Sequence, residues 1–273
     1  MRVVTSPIGL GMGISSFAGP REIRTHHREL RRSIAFGHQA IATGLVARGL
    51  TVQTVVAEGP PGGAIIEDAG HFGADLIVVG AREQGQIAAA LLGSVSTEML
   101  DGAPCSVLVS RGPPVERVLV ATDGSVPART AVDIVADWPL FASAQIRVLG
   151  ITDPPPHYAA SVLSEGDVGA AYQDTVAASR ATFDGVVGEA VDQLTAAGRD
   201  VEGKVRGGDP HTQVVVAARN WRADLVVIGA TGQSPLRSIL LGSVARRILH
   251  RVSASVLVAR RQAARDAAVS PGD

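Results

Sequence analysis

The segment GATGQSPLRSILLGSVARRIL, residues 229–249, follows the apolar run ADLVVI and decides the fold. It nearly recurs as GAREQGQIAAALLGSVSTEML, residues 80–100, which begins 149 positions earlier. The same offset aligns SVLV at 106–109 with SVLV at 255–258, and no gap is needed between these landmarks. A register that holds over this length indicates a duplicated domain.

Short β-rich apolar runs alternate with helical segments in the second repeat. The run RVLVAT, residues 117–122, ends at an Asp-Gly-Ser turn, where Ser125 is a candidate N-cap for the next helix. A long helical segment stops at Gly198, the expected C′ glycine. The strands are rich in Val, Leu and Ile without polar alternation, which is typical of a parallel sheet covered by helices on both faces. We therefore predict two tandem α/β domains of the Rossmann-like type.

The first repeat is incomplete. We predict a truncated domain at 1–113, a complete domain at 114–262 and a disordered tail at 263–273. At the offset of 149, Met1 corresponds to Gly150, so the first repeat has no counterpart of RVLVAT or of the helix that follows it. Three explanations stay open: a truncated product or misplaced start, a degenerate half, or MRVVTS acting as a short substitute strand.

The composition argues against several classes of protein. The chain has a net charge of −1 and no sustained Lys/Arg tract, whereas nucleic-acid surfaces normally carry a basic excess. No apolar run approaches the length of a membrane span, and Pro7 interrupts the first apolar stretch, so we predict no membrane segment, no signal peptide and a cytoplasmic location. Cys105 is the single cysteine and is predicted to be a small buried thiol. The pair His26-His27 has no further ligand at metal-binding spacing, so we predict a surface pair and no metal site.

Glycines at the end of a strand and at the start of the next helix suggest a binding site. In an open doubly wound sheet, ligands bind beyond the carboxyl ends of the strands, where the strand order reverses. Asp123 and Gly229 would meet there, and Gly229 would let the backbone approach a ligand and adopt a positive φ. Gly242-Ser243 would open a helix whose free N–H groups attract phosphate. Glycines at such positions also occur for purely structural reasons, so these residues alone leave both explanations open.

The arrangement resembles the universal stress protein family in its tandem, ATP-binding form. The family's nucleotide motif spaces Gly, Gly and Gly-Ser by two and nine residues, and its acidic residue follows the first strand. The resemblance implies a five-stranded parallel sheet in the order 3-2-1-4-5, with ATP as ligand and Mg²⁺ accompanying it. The residues that would contact the nucleotide are Ala121, Thr122, Asp123, Ile151, Ile228, Gly229, Gly232, Gly242, Ser243 and Val244.

The resemblance also implies how the two repeats meet. Their last strands, SVLVSR and SVLVAR, would pair across a pseudo-two-fold axis, so that one chain imitates a dimer and a homodimer is expected. In the first repeat, Glu83 replaces the second glycine of the motif and brings a negative charge to the place of the phosphates. We therefore predict one competent nucleotide site per chain, in the second repeat.

The function implied by the resemblance is that of an ATP-binding stress-response regulator. No general base or activated nucleophile is evident, so we assign no catalytic residue and expect at most slow ATP hydrolysis. Two alternatives remain: an enzyme of the adenine-nucleotide α-hydrolase type, and an interaction module with vestigial nucleotide sites.

Overall fold

The computed structural model describes residues 2–5, 36–57, 59–81, 93–112, 115–153, 167–231 and 241–261. The chain forms two compact units, Met1–Asp68 and Ala69–Asp273. The predicted tail at 263–273 lies outside the described residues. The described strands are β1 (Arg2–Thr5), β2 (Thr51–Thr54), β3 (Leu76–Gly80), β4 (Ser106–Ser110), β5 (Arg117–Thr122), β6 (Gln145–Thr152), β7 (Asp200–Gly207), β8 (Leu225–Gly229) and β9 (Ser255–Ala259). The described helices with defined bounds are α1 (Pro61–Phe72), α2 (Ser94–Gly102), α3 (Val126–Asp137), α4 (Asp167–Ala196), α5 (Pro210–Trp221) and α6 (Ser243–Arg251).

The first unit contains a two-stranded parallel sheet of β1 and β2, in which Arg2 lies opposite Thr51. Residues 36–46 of the same unit are helical. By the repeat offset, β2 corresponds to the start of β7, the third strand of the second repeat. Residues 2–5 of the segment MRVVTS therefore form a strand, and through its partner β2 this strand corresponds to the second strand of a repeat. A substitute for the missing first strand would have to pair with β3 instead.

Seven of the described strands in the second unit join one sheet, in the order β3-β4-β9-β8-β5-β6-β7. Five of them, β7-β6-β5-β8-β9, belong to the second repeat and follow the order 3-2-1-4-5, which confirms the predicted topology. All neighbours in the sheet are parallel except β4 and β9, which pair antiparallel. All five residues of β9 are buried, as expected for a strand covered on both faces.

The antiparallel pairing of β4 with β9 creates the predicted pseudo-two-fold axis. Leu108 lies opposite Leu257, and these two residues are equivalent by the repeat offset of 149. Val107 lies opposite Val258, which is the equivalent of Val109, so the register is symmetric about the central leucine pair. The two repeats thus meet through equivalent strands, as the resemblance implied.

Two equivalent arginines reach across this axis. The guanidinium of Arg111 donates to the carbonyl oxygens of Leu249 (2.7 Å) and Ala254 (3.0 Å), at the end of α6 and just beyond it. Its counterpart Arg260 donates to the carbonyl oxygens of Leu100 and Ala103, in the last turn of α2 and next to it. Each arginine therefore caps the helix of the other repeat, where the exposed carbonyls and the helix dipole favour a cation.

Local sequence signals set the helix ends as predicted. The N–H of Ala128 donates to the Ser125 hydroxyl (3.4 Å), so Ser125 is the N-cap of α3. Gly198 adopts φ +74° just after α4, where a residue with a side chain would be strained. Among the helices of the described residues, none is long and apolar enough to cross a bilayer.

Candidate functional site

The carboxyl ends of three neighbouring strands line up at one edge of the second repeat. Thr122 at the end of β5 lies beside Gly150 of β6. On the other side of β5, Val120 lies beside Val227, which brings Thr122 level with Gly229 at the end of β8. The strand order reverses at β5, because β6 and β8 flank it. The structure therefore places the predicted residues that follow these strands along one edge, at the point where doubly wound sheets bind ligands.

The turn after β5 holds Asp123 in a defined position. The N–H of Ser125 donates to Oδ1 of Asp123 (3.0 Å), and the N–H of Gly124 donates to the Thr122 hydroxyl (3.3 Å). Gly124 has φ +74°, which a residue with a side chain rarely adopts. The turn thus keeps the half-buried Asp123 carboxylate at the end of β5 and next to the start of α3.

Gly229 is a glycine for a reason that its sequence context did not reveal. A Cβ at this position would lie 2.7 Å from the carbonyl carbon of Pro127, 2.8 Å from its oxygen and 2.9 Å from the nitrogen of Ala128. The first turn of α3 therefore packs directly on the end of β8. The φ of Gly229 is not positive, so the freedom of a glycine to adopt a positive φ is not used at this position.

The first turn of α6 lies at the same edge. The N–H of Gly242 donates to the carbonyl of Ala230 (2.8 Å), which ties the start of α6 to the end of β8. Gly242 is the extended N-cap residue, and its carbonyl accepts from the N–H of Arg246 (2.9 Å). Within the described part of the chain, the N–H groups of the next three residues, 243–245, have no acceptor. Ser243 and Val244 are exposed, so this helix N-terminus is open to a negatively charged group.

The remaining predicted residues line the strands below this edge. Ile151 and Ile228 are buried, in β6 and β8, and Ala121 is half-buried in β5. Gly232 and the loop 232–240, which would cover a ligand, lie outside the described residues. The same holds for Glu83 of the first repeat and for the pair His26-His27.

Asp209, in the Gly-Asp-Pro segment after β7, caps α5. Its Oδ1 accepts from the N–H of Thr212 (3.0 Å) and lies 2.5 Å from Nδ1 of His211. Hydrogen bonds from Thr212 and the neighbouring His211 hold the pKa of Asp209 below its ordinary value. The other ring nitrogen of buried His211 lies 3.4 Å from the guanidinium of Arg251 at the end of α6. Sequence reasoning missed His211, whose one signal is its place directly after Asp-Pro.

The single cysteine behaves as predicted. Cys105 is fully buried at the entry to β4 and has a free thiol. Burial, followed by the negative charge of Asp75, raises the pKa of this thiol to about 11. It is therefore protonated at neutral pH, as a structural thiol should be.

Fold and site together define a class of protein: a tandem, doubly wound α/β protein. In its second repeat, an exposed helix N-terminus and a turn that contains an aspartate lie where the strand order of the sheet reverses. The model of the Universal stress protein family matches residues 13–111 and again residues 114–260. The chain therefore belongs to the universal stress protein family and carries two of its repeats in tandem.

Similar proteins of known family and similar solved structures support this assignment to the family. Universal stress protein Rv2005c of Mycobacterium tuberculosis is 31% identical over 204 residues, which cover 69% of this chain and 62% of that protein. Universal stress protein Sll1388 of Synechocystis is 40% identical over 68 residues, which cover 25% of this chain and 44% of the relative. The chain thus matches less than two thirds of the length of each of these relatives. The crystal structure of a universal stress protein from Archaeoglobus fulgidus superposes with a TM-score of 0.60 at 19% identity. The superposition covers 96% of this chain and 85% of the Archaeoglobus chain, and it shows that the two folds are alike.

Proposed function

We propose that this chain is an ATP-binding regulatory protein whose nucleotide site lies in the second repeat. One observation carries the proposal: the Asp123 turn and the open N-terminus of α6 lie at the ends of the adjacent strands β5 and β8. A negatively charged phosphate is stabilised at such a helix end by free N–H groups and by the helix dipole. A nucleoside attached to it would extend along the edge toward Asp123.

The predicted site residues fall into three groups, which would contact the phosphates, contact the nucleoside or line the rest of the site. The N–H groups of Ser243 and Val244, with the Ser243 hydroxyl, would hold phosphate oxygens. The Asp123 carboxylate would accept hydrogen bonds from the nucleoside, and Ile151 would line the adenine through its backbone. Ala121, Thr122, Ile228, Gly229 and Gly242 would complete the lining.

Mg²⁺ would accompany the phosphates without a dedicated protein cage. Within the described residues, no group of three His, Cys, Asp or Glu side chains comes together to hold a metal ion. Mg²⁺ commonly keeps several waters and binds through substrate phosphates, so this arrangement suits it.

The site is suited to binding rather than to rapid turnover. Oδ1 of Asp123 already accepts the N–H of Ser125, and the described residues at this edge offer no nucleophile paired with a base. We therefore propose that the nucleotide acts by occupancy, with at most slow hydrolysis, and that the protein regulates partners in a stress response.

The test introduces a negative charge at the first residue of α6 and, as a control, at the first residue of the equivalent helix α2. Ser243→Asp places a carboxylate where phosphate would bind, while an acidic residue at this position favours the helix itself. Ser94→Asp makes the same change at the equivalent residue of the first repeat and is the matched control. Isothermal titration with Mg-ATP should give one site per chain in the wild type and in Ser94→Asp, and affinity reduced at least roughly tenfold in Ser243→Asp.

Three results would contradict the proposal. They are equal ATP affinity in Ser243→Asp and the wild type, a stoichiometry near two, or no binding by the wild type at millimolar ATP. The last would favour an interaction module with vestigial sites. Gly229 is not a suitable position for this test, because a side chain there would disturb α3 whether or not a ligand binds.

A further inference from the structure

The sheet of the second repeat carries a pair of helices on each face. A Cβ at Gly150 of β6 would lie 2.7 Å from the side chain of Val187 in α4. In the same strand, the guanidinium carbon of Arg147 lies 4.4 Å from the ring centre of Trp221 in α5. Residues an odd number of positions apart in a strand point to opposite faces, so α4 and α5 lie on opposite faces of the sheet. Since α3 packs on α4 and α6 packs on α5, one face carries α3 and α4 and the other carries α5 and α6.

The two pairs of helices have opposite charges. The described charged side chains of α3 and α4 are mostly acidic, namely Asp133, Asp137, Asp174, Asp184, Glu189 and Asp192, against Arg129 and Arg180. The charged residues of α5 and α6 are Arg219, Arg246, Arg247 and Arg251, and neither helix contains an Asp or a Glu. Arg222, which directly follows α5, adds a further positive charge. The face of α5 and α6 is therefore basic in a chain whose net charge is only −1.

Three of these arginines have no acidic partner within the described residues. Arg219, Arg222 and Arg247 are exposed, and no described carboxylate forms an ion pair with them. The carboxylate of Asp101 in α2 pairs instead with the adjacent Arg246, at 2.8 Å. The positive charges of the three exposed arginines are thus available to another molecule.

The fold does not require basic residues at these positions. α2 is the equivalent of α6 in the first repeat, and the offset of 149 makes Glu98 the equivalent of Arg247 and Asp101 the equivalent of His250. Glu98 and Arg247 are both exposed, so packing does not select either charge. The basic character is specific to the second repeat and has an origin other than packing.

The rest of the sequence offers no acidic segment to match. Of the longer stretches outside the described residues, 6–35, 82–92 and 232–240 contain at least as many basic as acidic residues. The stretches 154–166 and 262–273 each have an excess of one acidic residue. None of them could neutralise three exposed arginines, which leaves an acidic partner molecule as the complement.

Two exposed valines define the kind of partner. Val216 precedes Arg219 by three residues in α5, and Val244 precedes Arg247 by three residues in α6, so each valine lies beside an arginine on the surface of its helix. Val216 is 38% and Val244 is 41% exposed. We call Arg219, Arg222, Arg247, Val216 and Val244 the basic surface. A helix whose apolar stripe is flanked by Asp or Glu would cover both valines and pair with the arginines.

Nucleic acid fits the basic surface less well. Single strands bind through aromatic side chains that stack on the bases, and the basic surface has none. Proteins that hold duplex DNA through about 6–10 phosphates use more cations than three arginines provide. We propose that the basic surface docks an acidic amphipathic helix of a partner protein. The proposal goes beyond the nucleotide site and does not depend on it.

The probe is a fluorescently labelled helical peptide of about 16 residues, with a stripe of leucines flanked by glutamates. It is titrated with the full chain and followed by fluorescence anisotropy. We expect saturable binding to one site, which weakens as salt is added. The double variant Arg219→Glu with Arg247→Glu should weaken binding at least roughly tenfold, because it places like charges opposite one another. Arg129→Glu with Arg180→Glu makes the same change of charge at exposed arginines of the opposite face and should leave binding unchanged.

Two altered peptides are measured with the wild-type chain, so their result does not depend on the folding of a variant. The peptide with glutamine in place of glutamate should not bind, and the peptide with serine in place of leucine should bind at least roughly tenfold more weakly. The proposal is overturned if the original peptide does not bind, if the control variant weakens binding as much as the variant of the basic surface, or if the serine peptide binds as tightly as the original. An oligonucleotide that binds through Arg219 and Arg247 more tightly than the peptide would also overturn it.

Discussion

Gly229 and Gly80 occupy the same position of the two repeats, yet replacing them with alanine should have opposite effects on stability. In Gly229→Ala the new Cβ would lie 2.7 Å from the carbonyl carbon of Pro127. Backbone atoms cannot rotate away as a flexible side chain can, so β8 and α3 must separate. In Gly80→Ala the Cβ enters open space, and the φ of this residue is not in the region that favours glycine.

The expected magnitudes follow from these contacts. Overpacking of a tight contact costs about 1–3 kcal/mol. For a unit of this size that lowers the melting temperature by about 2–12 °C, given roughly 2–4 °C per kcal/mol. Alanine at an unstrained glycine position instead stabilises by about 0.4–1 kcal/mol, because the unfolded chain loses conformational freedom. Gly80→Ala should therefore melt at the wild-type temperature or slightly above it.

Thermal melts monitored by circular dichroism and urea titrations of the three proteins provide the measurement. The informative quantity is the difference in stability between the two variants, so each serves as the control for the other. If Gly229→Ala is as stable as Gly80→Ala, the contact between α3 and β8 is not tight and the structural explanation of Gly229 is wrong.

Three further predictions concern residues outside the proposed nucleotide site. Arg111→Met and Arg260→Met should each lower the free energy of unfolding by about 1–3 kcal/mol in urea titrations, since each leaves carbonyls at a helix end without a charged donor. Lysine at either position should not restore stability, because one ammonium cannot reproduce the fork of a guanidinium. Asp209→Ala should cost about 1 kcal/mol at neutral pH through loss of the helix cap, as measured by urea titration. The lowered pKa of Asp209 means that its ionised form contributes stability above pH 3.8, and this contribution is lost as the pH falls further, so the deficit of Asp209→Ala should shrink in acid. Cys105 should resist a thiol-reactive dye at pH 8 in the folded chain and react completely in denaturant, because burial raises its pKa to about 11; rapid labelling of the folded protein would contradict the burial of β4.

Much of the second repeat could be predicted from local pattern. The alternation of apolar strands with helices indicated a parallel sheet, and Ser125 and Gly198 marked the ends of helices where the structure has them. The order 3-2-1-4-5 came from the resemblance, not from periodicity, since a pattern of strands does not state which strands are neighbours. The nucleotide contacts stay a prediction, with Gly232 outside the described residues.

By itself the sequence determined the fold class, the repeat and the helix ends at Ser125 and Gly198, because these depend on residues close together in the chain. Only the tertiary structure decided why Gly229 is a glycine, which helix Arg260 caps and that Val78 is exposed. Each of these depends on which atoms become neighbours when strands that are distant in sequence pair with one another. Identical residues in the two repeats therefore differ in role: Gly80 and Gly229 end the similar strands LIVVG and LVVIG, but the backbone at the start of α3 crowds only Gly229.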